Sequence, residues 1–347
     1  MDTANNTRRD FLKQSILFGA AIAAGSSSKA LAEQRQVRWA TVAKAQNSGA
    51  GKKKASGVQI TEQEKKLRVE INGELFTEYC FKGVPRPYFY PVIGPTGAAV
   101  NRNWPMKDGS DEEKDHPHHR SLWYTHGEIN GHDFWSESRR AGKVVHDKFL
   151  KVDSGPDAGV IQSSNKYVAR DGEVICTDKR THKFYNGTTG QIMDVEITFH
   201  ASHGEVLLGD TKEGSMAIRL TPTMRLKGKV GQGHIINSEG HRDKDTWGKR
   251  AAWCDYYGPV EGQIVGVAIF DHPQNPKHPT WWHVRDYGLF AANPFGVSYF
   301  ERKPRGTGDI TIESGESLTW RYRFYFHKGN EKQAKVDEHY RKYATKK

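Results

Sequence analysis

Histidine is unusually dense in one short stretch of this 347-residue chain. Residues 115–135 read DHPHHRSLWYTHGEINGHDFW, and five of the protein's 16 histidines lie here: His116, His118, His119, His126 and His132. The preceding residues, 94–114, are rich in Gly, Pro and Asn and are typical of neither a helix nor a strand. Because loops on a rigid scaffold often carry functional side chains, this histidine-rich segment (residues 115–135) is a candidate site.

Two kinds of chemistry suit the histidine-rich segment. In the first, His118 or His119 is a general acid or base, since imidazole titrates near neutral pH, and Arg120 binds substrate through its paired donors. In the second, His116, His118 and His119 bind a transition metal, which imidazole nitrogens suit. The H-x-H-H spacing matches no established metal motif, so no cofactor is firmly predicted. A third interpretation gives these histidines only hydrogen bonds to the loop backbone.

A second group of aromatic and basic side chains lies in the run WWHVR, which contains Trp282, His283 and Arg285. Aromatic faces stack on the apolar faces of sugars, while His and Arg donate hydrogen bonds to hydroxyl groups. We therefore expect Trp282 to offer a stacking face, and His283, Arg285, Arg120 and His126 to contact a carbohydrate. The alternative is an aromatic core beneath a loop.

Proton transfer also needs a partner for the histidine, and a carboxylate is the natural one. Glu213 directly precedes a predicted strand and is the candidate partner base. Asp133, Asp271 and Glu301 are the alternatives.

These motifs resemble those of a family of secreted bacterial proteins labelled methane oxygenase PmoA-like, over about residues 80–330. The resemblance is carried by the histidine-rich segment and by the runs Asp271-His272-Pro273, Trp282-His283-Val284-Arg285 and Asn293-Pro294-Phe295. Methane oxidation itself is not expected, because the membrane subunit of that name spans the bilayer several times and this chain has no comparable apolar segments.

The order of features also resembles the galactose-mutarotase-like superfamily, in which a His-Gly or His-Arg element supplies active-site side chains. His119-Arg120 and His126-Gly127 stand where such an element would, and the run ITIESGES that begins at Ile310 resembles the turn before the last strand. The resemblance implies a large β-sandwich with a sugar site. The chain departs from the pattern where a glutamate is expected, so either Glu213 or Glu301 takes the base role or the chemistry differs.

The elements that position these residues are predicted to be strands. Alternating apolar and polar runs, rich in β-branched and aromatic residues, are separated by turn pairs such as Asn72-Gly73 and Ser314-Gly315. The clearest runs cover residues 67–71, 191–199, 216–220, 263–270 and 318–326. Little of the chain favours helix except residues 331–343. We therefore predict an all-β fold, a large antiparallel sandwich with a C-terminal helix.

The N-terminus predicts export by the twin-arginine route. Arg8 and Arg9 precede Phe11-Leu12-Lys13, an apolar stretch follows, and Ala30-Leu31-Ala32 is a cleavage site of the small-x-small type. We expect a signal peptide at 1–32, a flexible linker at 33–56, a β-sandwich domain at 57–330 and a helical tail at 331–347. No later segment is apolar enough to span a membrane.

Charge and cysteine content narrow the classes of partner. The net charge of +11 is spread along the chain, and its densest run, Lys52–Lys54, lies in the predicted linker. With no nucleic-acid-binding motif, nucleic acid is not an expected partner. The three cysteines, Cys80, Cys176 and Cys254, are too few for a disulfide framework, so buried thiols are expected, with one disulfide as the alternative.

The leading hypothesis from the sequence is a periplasmic or secreted carbohydrate-active enzyme that moves protons on a sugar as an epimerase, lyase or hydrolase. His118 or His119 would be the acid or base, with Glu213 as partner. A metal-dependent enzyme and a non-catalytic glycan-binding protein are the alternatives.

Overall fold

The computed structural model describes residues 56–187 and 190–345. The predicted signal peptide and residues 33–55 of the predicted linker lie outside these ranges. In the described ranges, no helix combines the length and the apolar character needed to cross a membrane.

Two eight-stranded sheets in which every pairing is antiparallel dominate the described chain. In spatial order, the first sheet consists of β1 (Val58–Gln63), β2 (Lys66–Ile71), β3 (Glu74–Cys80), β4 (Tyr88–Val92), β5 (Leu122–His126), β11 (Gly214–Arg219), β16 (Leu289–Asn293) and β15 (Trp281–Val284). The second consists of β12 (His234–Asn237), β13 (Trp253–Val260), β14 (Gln263–Asp271), β18 (Ser317–Lys328), β9 (Gln191–His200), β8 (Val174–Tyr185), β7 (Ala158–Val168) and β6 (Lys143–Asp153). A small separate sheet pairs β10 (Val206–Leu208) with β17 (Ile310–Ile312).

The core lies between the two large sheets. Phe76 and Phe89 of the first sheet meet Phe326 and Phe184 of the second, with ring centroids 5.5 Å and 6.0 Å apart. These side chains are almost completely buried, as the alternation of apolar and polar residues along their strands requires. The predicted all-β antiparallel sandwich is confirmed.

In the part of the chain that the structure describes, helix is confined to short segments. Two 3-10 turns cover Pro222–Met224 and Asp243–Thr246, α1 is a single turn at Val297–Phe300, and α2 covers Val336–Ala344. The C-terminal helix therefore begins five residues later than predicted, because the Asn330 side chain accepts from the backbone N–H groups of Lys332 and Gln333 and holds a turn there. Val336 and Tyr343 then pack the helix onto the second sheet.

All three cysteines are free thiols, and Cys176 and Cys254 are buried. Burial raises the pKa of both thiols, so they remain protonated at neutral pH. The buried-thiol prediction holds for these two, and the alternative with one disulfide does not.

Candidate functional site

Four neighbouring strands of the first sheet, β5, β11, β16 and β15, carry the floor of the candidate site. Their register pairs Trp123 with Ala217, Ala217 with Ala291, and Ala291 with His283, so these side chains form one row across the sheet. Trp123 and the two alanines pack in an apolar cluster separate from the core between the sheets. The row therefore lies on the outer face of the sheet.

A cavity of about 610 Å³ lies on this outer face, within the usual size range of small-molecule sites. Its wall is formed by His116, His118, His119, Gly127, Asp133, Trp135, Ser136, Lys212, Glu213, His283, Arg285 and Tyr287. The structure thus brings together five predicted site residues from distant parts of the chain: His118, His119, Glu213, His283 and Arg285. A larger hollow of about 940 Å³ near α2 has only scattered titratable side chains.

The start of the histidine-rich segment folds into a tight turn that stacks its rings. His116 has a left-handed backbone, with φ +43°, and its carbonyl accepts from the His119 N–H at 3.0 Å. The His116 ring lies parallel to the His119 ring at 4.7 Å and to the Tyr287 ring at 5.4 Å. The His119 ring in turn stacks on Trp123 at 5.4 Å. Four rings therefore form one continuous stack, which fixes the orientation of both histidine rings.

Asp115 anchors this turn to the sheet. Its carboxylate accepts from Arg102 at 2.5 Å, from Arg219 at 3.0 Å and from the His116 ring at 2.7 Å. Burial acts to raise the pKa of Asp115, but the His116 hydrogen bond and the two arginine charges outweigh it and lower that pKa below its usual value. Asp115 is therefore a permanent anion that orients Arg219 beneath the histidines.

Arg219 determines which nitrogen of His119 carries the proton. Its guanidinium lies 3.0 Å from Nδ1 of His119, and because arginine can only donate, Nδ1 is the acceptor. The neutral His119 ring therefore carries its proton on Nε2. Burial, followed by the charges of His118 and Arg219, lowers the pKa of His119 well below its ordinary value. This arrangement holds the neutral His119 ring as an Nε2–H hydrogen-bond donor.

His118 differs from His119 in having open ring nitrogens. In the part of the chain that the structure describes, neither nitrogen has a hydrogen-bond partner, and the ring lies edge-to-face with His119 at 4.4 Å. Burial, followed by the nearby charge of Arg86, lowers the pKa of His118 to about 4. At neutral pH this imidazole is uncharged and can accept a proton from a ligand.

His283 supplies a second fixed donor from the opposite wall. The indole N–H of Trp247 lies 3.4 Å from Nδ1 of His283, which leaves the His283 proton on Nε2. Burial, followed by the charges of Arg285 and Lys212, lowers the pKa of His283 to about 3. Its ring is therefore neutral throughout the physiological range.

Two carboxylates line the cavity, and they are held differently. Glu213 is one-third exposed and forms an ion pair with Lys212. Asp133 accepts from the Ser136 hydroxyl and from the backbone N–H groups of Trp135 and Ser136, so it mainly fixes a turn. Of the two, Glu213 has the freer carboxylate.

The other two carboxylate candidates are engaged elsewhere. Asp271 is buried against Asn275, His278 and Thr280. Glu301 accepts from the Trp281 indole at 3.0 Å. Neither side chain lines the cavity.

Three predicted site residues do not line the cavity. Trp282 and His126 point into the core. Side chains alternate between the two faces of a strand, and the preceding residues, Trp281 and Thr125, face outward. The Trp282 indole donates to the Ala251 carbonyl, and the His126 ring bonds the Gly209 carbonyl at 2.8 Å. Trp282 therefore offers no stacking face, and His126 is not a substrate contact.

Arg120 is also committed to a protein partner. Its guanidinium donates two hydrogen bonds of 2.7 Å to the Glu137 carboxylate, a bidentate ion pair. Two of the five Arg120 donors are thus used by Glu137, and Arg120 is not among the residues that line the cavity, whose Lys and Arg side chains are Lys212 and Arg285.

The geometry gives the three-histidine metal site no support. In residues 56–187 and 190–345, no three His, Cys, Asp or Glu side chains are arranged to hold a metal ion. Nδ1 of His116 bonds Asp115, Nδ1 of His119 bonds Arg219, and the two rings are stacked in parallel instead of converging on a point.

Sequence reasoning missed Tyr287, Trp135 and Lys212 as site residues. Tyr287 lies in the turn between β15 and β16, two residues beyond Arg285, and a turn this short must keep it beside its neighbours. The pattern Asp133-x-x-Ser136 is a local signal for the turn that carries Trp135. Nothing in the sequence indicated that these segments meet.

Comparison with known proteins gives a family but no activity. The model of one protein family matches residues 66–341 of the chain, and its description is "Family of unknown function (DUF6807)". No curated protein sequence shows a significant match. Nothing in these matches bears on the PmoA-like label.

Solved structures similar to this chain include three sugar-related proteins. They are 4-alpha-glucanotransferase from Thermococcus litoralis (10% identity, TM-score 0.30), a galactose mutarotase-like protein from Lactobacillus casei (10%, 0.30) and a galactose mutarotase related enzyme from Lactobacillus acidophilus (8%, 0.27). The matches cover 79%, 78% and 78% of this chain and 39%, 100% and 97% of the other chains, so the chain spans well under half of the glucanotransferase.

Proposed function

The chain belongs to this family of unknown function, and we propose from the geometry of its cavity that it is a carbohydrate-active enzyme that transfers protons at a sugar through His118. The observation that carries the proposal is the arrangement around His118. A neutral imidazole with open nitrogens lines a cavity with two histidines, His119 and His283, whose donors are fixed.

This arrangement separates the chemical roles. His118 accepts a proton from an O–H or C–H group of the sugar, and the Nε2–H groups of His119 and His283 donate hydrogen bonds to the oxygen on which negative charge develops. Glu213, in an ion pair with Lys212, is the second proton-transfer group of the cavity. The imidazolium that His118 becomes returns the proton to the sugar or to the leaving oxygen in the following step, so the proton taken in epimerisation, elimination or hydrolysis is given back.

The lining also suits a ligand rich in hydroxyl groups. Trp135 and Tyr287 contribute aromatic surface, while histidine N–H groups and the Glu213 carboxylate contribute donors and acceptors. A mixed surface of this kind matches a sugar, which alternates apolar C–H faces with polar edges. The aromatic contact predicted for Trp282 falls to these two residues instead.

The test is turnover of a sugar panel by the purified protein and by His118→Asn. Reducing sugars are followed by NMR exchange at the anomeric carbon, and oligosaccharides by release of reducing ends or of unsaturated products. We expect His118→Asn to lower kcat/KM about a hundredfold or more, because a positioned histidine contributes roughly that factor. The same change at the exposed His203 is the matched control and should have no effect.

The pH profile gives a second readout. Because His118 must be unprotonated to act as a base, kcat/KM should fall as the pH drops through about 4. Unchanged turnover in a folded His118→Asn protein would remove His118 from the mechanism. Sugar binding with no turnover of any substrate would favour the alternative of a non-catalytic glycan-binding protein.

The proposed place of action is the periplasm or the exterior of the cell. Only the sequence pattern of Arg8, Arg9 and the following apolar stretch supports it. Cell fractionation after replacing both arginines by lysine checks it, since a twin-arginine substrate should then remain in the cytoplasm.

A further inference from the structure

Among the residues that the structure describes, Arg285 is a cation without a counterion in the wall of the cavity. It follows β15 directly, and its guanidinium lies between two aromatic rings, 5.6 Å from the centroid of Trp247 and 5.5 Å from that of Tyr287. Over residues 56–187 and 190–345 the guanidinium has no hydrogen bond and no ion pair. Aromatic contacts hold the side chain in place but leave its N–H donors unused.

Other cationic side chains around the cavity have anionic partners. Arg219 is bound to Asp115, Arg120 to Glu137, and Lys212 to Glu213. Arg285 differs from these three side chains because its guanidinium N–H donors are available to a ligand.

The positive charge of Arg285 lowers the pKa of two neighbouring side chains, His283 and Lys212. After burial, it is the largest cause of the lowered pKa of both His283 and Lys212. The two carboxylates that line the cavity do not neutralise it, since Glu213 is paired with Lys212 and Asp133 is held by the turn that contains Ser136. An anion bound at Arg285 would relieve this unbalanced charge.

We infer that the substrate is an acidic sugar whose carboxylate binds Arg285. The planar guanidinium matches a carboxylate with two parallel hydrogen bonds, a geometry that ammonium groups cannot reproduce. Arg285 and His283 are two residues apart and face the same side of the sheet, so a sugar held by its carboxylate at Arg285 presents an oxygen to His283. The inference rests on the proposed function, and it adds the substrate class, a uronic acid.

The experiment measures the binding of matched sugar pairs to the full protein by calorimetry. The pairs are D-glucuronate with D-glucose and D-galacturonate with D-galactose, and galactose 6-sulfate tests a different anion. We expect at least one uronate to bind about tenfold or more tightly than its neutral partner, consistent with charge-assisted hydrogen bonds. Arg285→Gln should abolish this preference, and Arg285→Lys, which retains the charge but not the fork, should keep only part of it.

Controls separate this inference from the proposed function. Arg170→Gln removes the same charge from an exposed position outside the cavity and should leave the preference intact. Equal binding of uronate and neutral sugar would overturn the inference and leave the proposed function standing, whereas no binding of any sugar would overturn both. Tighter binding of the sulfate than of the uronates would show that the carboxylate assignment is wrong. Thermal unfolding of each variant shows whether a lost preference reflects lost fold.

Discussion

Two clusters of polar side chains in this molecule differ in whether their hydrogen-bonding atoms are satisfied within the protein. The buried cluster, formed by Asn165, Tyr167, Asp178 and Arg180 on β7 and β8, lies between the sheets and is almost completely inaccessible to solvent. Both Asp178 oxygens accept hydrogen bonds within it, from Asn165 at 2.6 Å, from Tyr167 at 2.8 Å and from Arg180 at 2.8 Å. The Asp178 carboxylate and the Arg180 guanidinium therefore form an ion pair inside the cluster.

The cavity cluster, formed by His118, His119, His283 and Arg285, leaves particular donor and acceptor atoms without a hydrogen-bond partner among the described residues. The ring nitrogens of His118 and the guanidinium of Arg285 have no described partner, and the other two histidines each have one nitrogen bonded and one available. A dense group of titratable residues therefore does not by itself mark a functional site. The informative feature is which donors and acceptors remain open to a ligand.

The sharpest test of this difference is to break the buried ion pair. Asp178→Asn leaves Arg180 as an uncompensated buried cation, and we expect the free energy of unfolding to fall by about 3–5 kcal/mol. Denaturant unfolding measures it. The same substitution at Asp153, in an exposed pair with Lys151, is the matched control and should change stability by about 0.5 kcal/mol or less. A loss of similar size in both variants would mean that the buried cluster is not a structural ion pair.

The next effect is a dependence of stability on pH. Burial, followed by the charge of Arg180, lowers the pKa of His182 to about 3, and burial lowers that of His126 to about 3. Between about pH 6.5 and 3 the unfolded chain binds protons at these positions and the folded chain does not. Stability should therefore fall as the pH drops below about 6.5, by about 1.4 kcal/mol per pH unit for each such histidine.

Removing one of these histidines measures its share of that slope. His182→Phe should flatten the pH dependence of the unfolding free energy by about 1.4 kcal/mol per pH unit, whatever its effect on packing at a fixed pH. Exposed His203→Gln is the control. An unchanged slope in His182→Phe would contradict a neutral buried imidazole.

The smallest expected effects separate two adjacent residues of β15. Trp282→Phe removes an indole bond to Ala251 and core volume, so it should lower stability by about 2 kcal/mol without changing sugar affinity. His283→Asn should do the reverse. It should lower the affinity for the sugar that binds most tightly in the panel by about fivefold, or about 1 kcal/mol, with little loss of stability. Chemical denaturation and calorimetry on both variants give the two quantities, and a sugar affinity that depends on Trp282 would reverse our placement of the two side chains.

Much of the fold could be predicted from local pattern. The runs at residues 67–71, 191–199, 263–270 and 318–326 alternate with a period of two and fall within β2, β9, β14 and β18. The turn at Asn72-Gly73 could also be predicted from the sequence, since both residues have the positive φ values that this pair favours. The start of α2 was missed because a side-chain cap at Asn330 competes with helix, which composition alone does not reveal.

The site could be predicted only in part. Residue type and clustering drew attention to His118, His119 and Arg285, but the meeting of three distant segments depends on the neighbours that β5, β11, β16 and β15 take in the sheet. Alternation does require Trp282 and His283 to face opposite ways, yet it does not say which of the two faces the core. The commitment of Arg120 to Glu137 is likewise a tertiary contact with no local signal.

The stack of rings formed by Tyr287, His116, His119 and Trp123 should also affect NMR chemical shifts. Circulating π electrons shift the resonance of nuclei that lie over the face of an aromatic ring, and the successive planes here differ by only 10°, 9° and 21°. The carbon-bound protons of His116, between two such planes, should resonate away from those of an exposed histidine. A ligand that parts Tyr287 from His116 would remove one of the two currents. The protein thus carries its own spectroscopic reporter of occupancy, readable without a label.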